Sequence, residues 1–401
     1  MDVRLLSSGT PGNLTPDEEQ KLQQAWIHLI RLGGNKNIEK ASFSESVPDI
    51  TRELQQHISD KSPEAFREGL WGFILSEHPD ALVLRFLRAR KWDVEKAMVM
   101  LVSAVDWRIE RNIAETIIYR GENVGLENDP SADERGFIAQ YRSGKSYVHA
   151  KDKENRLVYI IKVRLHDPGL QSCEAMETYI LHNIESLRIL MKSPDDKCCL
   201  IFDMTGFGVK NMDFHVVKFL VSVFEARYPE TLGVVLVHNA PFVFWGSYLR
   251  SFPPTDQYTH GIIGIWGIIK GWLDPVIASK IHFTHKPTDL LKFIPAESVQ
   301  TSYGGEDTWE YEYVEPVAGE NARLDESEKR AEIQQERNEL IAEFERETIA
   351  WASLVTASTA EIEKTSRRNE AADQLRGSYW KLDPYIRART YFHRLGMIAD
   401  S

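Results

Sequence analysis

Cysteine is scarce, with three in 401 residues: Cys173, Cys198 and Cys199. That is no disulfide framework, and it suits a reducing compartment. Long apolar runs are missing too. The longest, near Ile262–Leu273, is about a dozen residues and contains Lys270, whereas a bilayer crossing needs roughly 20. The opening MDVRLLSSGTPGNLTPDEEQ has no apolar core of a secretory signal, so a cytoplasmic protein is expected. Basic residues are the minority, 48 Lys and Arg against 60 Asp and Glu for a net charge of −12, which argues against nucleic acid as a partner.

Catalytic and metal-binding signatures are also lacking. Ser143-Gly144-Lys145-Ser146 resembles the end of a phosphate-binding loop, but Ala139 stands where the first glycine is required. No G-x-S-x-G elbow occurs. His282 and His285 are three apart on a predicted strand, where they face opposite sides and cannot share a metal. Asp152, Asp203, Asp256 and Asp274 sit among turn residues and read as caps and turns. No catalytic residue, metal or cofactor is expected.

What is present is ordinary globular material, 42% hydrophobic and 27% charged, with unevenly spread acidity. Residues 306–347 hold 15 acids and 5 bases, and residues 348–401 hold 6 acids and 8 bases, so the first 305 residues are close to neutral. Residues 1–60 read as a partly helical extension in which Thr15 caps a helix opened by Pro16. Helical spacing over 62–77, 79–91 and 93–111 predicts a small helical unit across 61–120. From about residue 135 the pattern changes. Leu157–Val163, Cys198–Met204 and Gly233–His238 are short apolar runs of the kind that form strands covered on both faces, and Ile281–Thr284 is a fourth strand. On a strand, adjacent Cys198 and Cys199 point to opposite faces. Helical segments at 174–192 and 213–227 alternate with them, which predicts an α/β domain with a mostly parallel sheet over 135–305. An acidic linker, 306–324, and a C-terminal helical extension, 325–401, follow.

Phe242, Phe244, Trp245, Ile265, Trp266, Ile268, Ile269, Trp272 and Leu273 crowd one stretch interrupted by Gly264, Gly267 and Gly271. A core helix would account for them. So would a lid whose inner face closes on an apolar ligand and whose outer face touches membrane.

Six blocks decide between these: LRFLRARKWDVEKA (84–97), FDMTGF (202–207), YPETLG (228–233), NAPFVF (239–244), WLDPVIASKI (272–281) and IPAESVQTSYGG (294–305). In this order they resemble the CRAL-TRIO lipid-transfer family, specifically its fungal phosphatidylinositol-transfer protein branch, over about residues 60–305. The resemblance implies an N-terminal helical unit and a CRAL-TRIO lipid-binding domain. In that domain a mostly parallel sheet floors a hydrophobic cavity gated by a helix. It implies that Arg90 contacts phosphate, that Lys280 is the second cation at the headgroup, and that Glu230 pairs with Lys280 to organise that site. Trp266 and Ile269 are implied gate residues; Asp203 and Gly206 are implied to be structural.

The chain departs from the family pattern in three places. Cys198 and Leu200 stand where phosphatidylcholine-reading members carry a Ser and a Thr, so a more apolar second ligand is expected. Ile277 replaces a Thr that helps hold the inositol phosphate. GSYLRSFPPTDQYTHGIIG (246–264) places Pro253-Pro254 inside what should be a continuous gate, at roughly 3 kcal/mol per proline in a helix. It reads as a translated, unspliced intron or as a loop extension; a messenger lacking these codons is the outcome the first reading expects.

The function expected is lipid binding and transfer. The protein would carry phosphatidylinositol, and a second, more apolar lipid, between membranes without catalysis, touching endomembranes transiently. The alternative is a lipid-sensing scaffold that presents lipid to a phosphoinositide kinase, a reading drawn from the acidic helix near 325–351. That helix has an apolar stripe of Leu324, Ile333, Leu340, Ile341, Phe344 and Trp351. It is expected to dock back on the lipid domain rather than grip an anionic membrane that its charge would repel.

Overall fold

The computed structural model describes residues 8–40, 50–58, 61–191, 196–245, 264–353 and 359–398. Two compact units emerge, one of residues 1–127, 184–196 and 315–401, the other of residues 128–183 and 197–314.

The first unit opens with α1 (Pro16–Leu32). Thr15 and Glu18 form a reciprocal capping box, Pro16 fills the first turn, and three acids face the positive end of the helix dipole. A short α2 (Thr51–Gln55) precedes α3 (Pro63–Ile74), α4 (Pro79–Ala89) and α5 (Val94–Glu110), capped by Ser62, the His78 ring and Asp93. Trp26 of α1 stacks on Trp71 of α3 and donates to Asp80 of α4 at 2.6 Å, so α1 belongs to this core.

The second unit begins with α6 (Ala132–Arg142), for which Ser131 and Glu134 supply another capping box. Next come β1 (Ser146–Lys151), β2 (Leu157–Lys162) and α7 (Cys173–Leu190), whose residues from 184 onward belong to the first unit. The chain continues through β3 (Cys198–Asp203), α8 (Phe214–Ser222), β4 (Leu232–His238), α9 (Phe242–Trp245), α10 (Ile265–Lys270), α11 (Pro275–Ser279), β5 (Ile281–Thr284) and α12 (Pro287–Leu290). The sheet order is β1-β2-β3-β4-β5; β1 runs antiparallel to β2 and every other pair is parallel. The mostly parallel sheet expected from the apolar runs is therefore present.

Strand alternation divides the sheet into two faces. Val158, Ile160, Cys199, Ile201, Val234 and Leu236 pack on Leu290, Ile294 and Val299 in a closed core. Gly305 is fixed by close approach there: a Cβ would lie 2.0 Å from the Val299 carbonyl oxygen. The opposite face brings Tyr159, Leu200 and Val235 side by side in register.

The chain then returns to the first unit in α13 (Ser327–Ala352), α14 (Thr359–Ile386) and α15 (Tyr391–Arg394). Phe344 of α13 meets Trp26 and Trp71 edge-on at 5.3 and 5.7 Å. Glu345 accepts from Arg67, Trp71 and Asn35, and Arg368 of α14 grips Asp80 with both Nη atoms. α13 and α14 thus pack within the first unit, a correction to the docking on the lipid domain that the sequence led us to expect.

Candidate functional site

The Asp residues read as turns and caps take those places. Asp152 accepts from the Glu154 and Arg156 amides, Asp203 from Thr205, and Asp274 from Val276 at the start of α11. Asp256 lies outside the described residues. His282 sits on β5, but His285 falls just past its end, a correction to the reading of both on one strand. Ser146 opens β1, so the Ser-Gly-Lys-Ser run leads into a strand.

The open sheet face is where apolar surface stays half covered. Tyr159, Ile161, Phe202, Ile281 and Phe283 are only part-buried. Burial raises the Tyr159 phenol well above its ordinary value. Over the β4–β5 end of this face lie the aromatics read as a gate. Phe244 stacks on Trp266 at 6.1 Å, Trp266 meets Phe283 at 5.0 Å, and Trp245 meets Phe283 at 4.5 Å. Ile265, Trp266 and Ile269 of α10 pack with Val237, Met204 and Phe207. The α8 sequence FHVVKFLVS is strongly apolar, yet it buries no residue fully. Phe214 and Lys218 of α8 contact the Trp272 ring, and Glu225 accepts from the Asp274 amide at 2.5 Å. A close-packed core would cover such side chains. Here the sheet face, the α9–α10 aromatics and α8 all keep apolar surface uncovered.

Charge gathers at the N-terminal ends of the parallel strands. Lys280 caps α11 and leads into β5, and its Nζ lies 3.5 Å from Glu230 Oε2. Lys197, immediately before β3, reaches the same oxygen at 4.0 Å. Ile277 lies half-buried on α11, beside this end in sequence. Glu230 has φ +59°, a left-handed conformation unusual for a residue with a side chain and frequent at functional sites. The structure thus joins Glu230 and Lys280, implied by the resemblance, and adds Lys197, which sequence reasoning missed. Its only sequence signal was a lysine abutting an apolar strand.

The CRAL/TRIO domain model matches residues 141–252 and 260–305, and the CRAL/TRIO N-terminal domain matches residues 50–103. A CRAL-TRIO domain-containing protein of Schizosaccharomyces pombe is 32% identical over 98% of this chain and 93% of its own. The chain belongs to the CRAL/TRIO family. Phosphatidylinositol transfer protein CSR1 of Eremothecium gossypii is 35% identical over 85% of this chain and 73% of its own. SEC14 cytosolic factor of Yarrowia lipolytica is 25% identical, covering 75% and 50%. The CRAL/TRIO match breaks across 253–259, around Pro253-Pro254; residues 246–263 lie outside those described.

In the CRAL/TRIO N-terminal unit the arginines of the LRFLRARK block divide their labour. Arg85 pairs with Glu77, and Arg88 reaches Asp196 and the Gly9 carbonyl. Arg90, at the C-cap of α4, has no carboxylate in ion-pair range among the described residues. In the CRAL/TRIO domain Cys198 and Leu200 share the Tyr159 face of the sheet but are themselves covered, each about 2% exposed, and burial pushes the Cys198 thiol up to about 12, leaving it neutral. Beside Leu200, the Tyr159 hydroxyl meets Ser146 Oγ at 2.6 Å, and the Tyr179 hydroxyl meets the same oxygen at 2.7 Å.

At the opposite end of the sheet a lysine is sealed in. Lys145, 4% exposed, has its Nζ 3.2 Å from His166 Nδ1, and His166 Nε2 is 3.2 Å from Asp213, the N-cap of α8. Burial lowers Lys145 from 10.5 to about 8, with Asp167 and Asp213 opposing only in part. A depressed folded pKa means the unfolded chain binds the extra proton between pH 8 and 10.5, so this group costs stability below pH 8 and the cost fades as pH rises to 10.5. Denaturant titration of wild type and Lys145→Met should therefore show a stability difference that shifts by about 3 kcal/mol in favour of wild type between pH 7.5 and 10.5. A difference independent of pH would show that Lys145 is not held as described.

Proposed function

We propose that this CRAL/TRIO protein binds one phosphatidylinositol, or a bulkier apolar lipid, and carries it between membranes without catalysis. The observation that carries the reading is the half-covered apolar sheet face, closed by aromatic side chains and adjoined by the Lys197–Glu230–Lys280 cluster. Covering acyl chain is worth about 0.8 kcal/mol per methylene. The bilayer and the protein offer nearly equal amounts of it, so exchange needs no ATP and the gate governs its rate. Arg90, Glu230 and Lys280 are the proposed phosphate and headgroup contacts, with Trp266 and Ile269 the moving part. Phe242, 64% exposed, with Trp245, Ile268 and Val276, gives the gate region an outer apolar surface suited to transient membrane contact. The scaffold alternative drew on the acidic helix near 325–351, and the apolar stripe of α13 is taken up inside the first unit. Mass spectrometry of lipid extracted from the purified protein tests the reading; phosphatidylinositol is the expected species, and a lipid-free preparation would oppose it.

Discrimination against phosphatidylcholine follows from Cys198 and Leu200. Neither supplies a strong hydroxyl donor on the cavity floor. Cys198→Ser with Leu200→Thr should raise phosphatidylcholine transfer about tenfold or more, since hydrogen bonds to a charged group are worth roughly 1.5–3 kcal/mol each. Equal transfer before and after the double change would contradict this account of selectivity.

A further inference from the structure

We propose that Lys197 is a third headgroup residue, which with Lys280 holds the lipid phosphate while Glu230 accepts from the polyol. This inference rests on reading this end of the sheet as the headgroup site. Its geometry is set by sheet hydrogen bonds rather than by loop chance. The Cys198 amide donates to the Thr231 carbonyl at 2.8 Å, and the Val235 amide donates to the Lys280 carbonyl at 2.9 Å. Those bonds bring Lys197, Glu230 and Lys280 together at three neighbouring strand ends although they lie far apart in sequence.

The charge arrangement points the same way. Two ammonium groups converge on one carboxylate oxygen, an arrangement to which a phosphodiester, with its negative charge, is drawn. Both lysines stand off from Glu230 Oε2, at 3.5 and 4.0 Å rather than the 2.7–2.9 Å or so of a direct charged hydrogen bond. Phosphate oxygens can enter between them. An ordinary surface salt bridge would leave the left-handed backbone at Glu230 unexplained, since such a pair contributes little. The strain is accounted for if that conformation aims the carboxylate at a ligand. With Ile277 unable to donate, Lys197 supplies the missing interaction, and a zwitterionic headgroup that brings its own cation is disfavoured.

Two measurements test this. In vesicle-to-vesicle transfer of phosphatidylinositol, Lys197→Ala should be about tenfold slower than wild type, with Lys197→Arg restoring most of the rate. Lys210→Ala, which removes a charge from an exposed position elsewhere, should behave as wild type. Titration with myo-inositol 1-phosphate, followed by NMR of labelled lysine side chains, should show the Lys197 and Lys280 ammonium signals moving together, and Lys197→Ala should weaken binding about tenfold. The titration needs no transfer, so a wild-type protein that binds the soluble headgroup through Lys197 but moves no lipid would overturn the transport reading and leave this assignment standing. A wild-type protein that ignores the headgroup, or a Lys197→Ala protein that binds it or transfers lipid like wild type, would overturn the assignment.

Discussion

Ending the chain at Gly319 is expected to lower the melting temperature of the first unit by more than about 10 °C. The truncation removes Phe344, which closes the Trp26–Trp71 pair, and loss of a buried aromatic costs about 3–5 kcal/mol. It also removes Arg368. Burial alone pushes the Asp80 carboxyl up, and Arg368 outweighs that and holds it below the usual range. Without the guanidinium, a carboxylate 5% exposed keeps the Trp26 N–H and the His78 ring as company. Glu122, fully buried, loses Arg394 as well. Breaking a buried pair by deleting one partner costs about 3–5 kcal/mol, and each kcal/mol is worth about 2–4 °C in a unit of this size. Arg368→Ala alone should therefore destabilise measurably in thermal melts followed by circular dichroism. If truncation left the melt unchanged and removed membrane or partner association instead, the tail would be a targeting element.

Lys280→Ala and Glu230→Lys should each reduce phosphatidylinositol transfer by about two orders of magnitude while the melt stays at the parent temperature. The side chains are 18% and 16% exposed, so neither is core. Truncating one charged group that contacts a partly desolvated ligand charge costs roughly 2–5 kcal/mol of binding. Glu230→Lys goes further, because it sets three ammonium groups within a few ångströms of one another. Transfer at the parent rate by either variant would remove these residues from the headgroup site.

The strands were legible because both faces are apolar: LVYII, CCLIF and GVVLV carry little polarity to mask them. β1 was not, since SYVHAK reads as polar; its hydroxyl and ring atoms find partners only after folding, Ser146 with Tyr159 and Tyr179, His149 with Asp307. The segment 213–227 reads as one helix, yet α8 ends at Ser222 and a wider turn spans Val223–Arg227, where Glu225 is engaged by the Asp274 amide. Glu230 and Lys280 could be named from motif resemblance, but Lys197 could not. Its place beside Glu230 is a product of β3–β4 register, which no local pattern encodes. The tail's apolar stripe was visible in α13, whereas Arg337 and Glu345, charged residues buried on the same helix, were hidden because their partners lie about 260 to 280 residues away.

The central claim is carriage without chemistry, and vesicle-to-vesicle transfer of labelled phosphatidylinositol in the absence of ATP tests it most directly. The account predicts that catalytic amounts of protein move label between vesicles, that the lipid arrives chemically unchanged, and that Glu230→Lys stops it. Lipid that stays in the donor vesicles while the protein stimulates a phosphoinositide kinase, or lipid that arrives hydrolysed or oxidised, would contradict it.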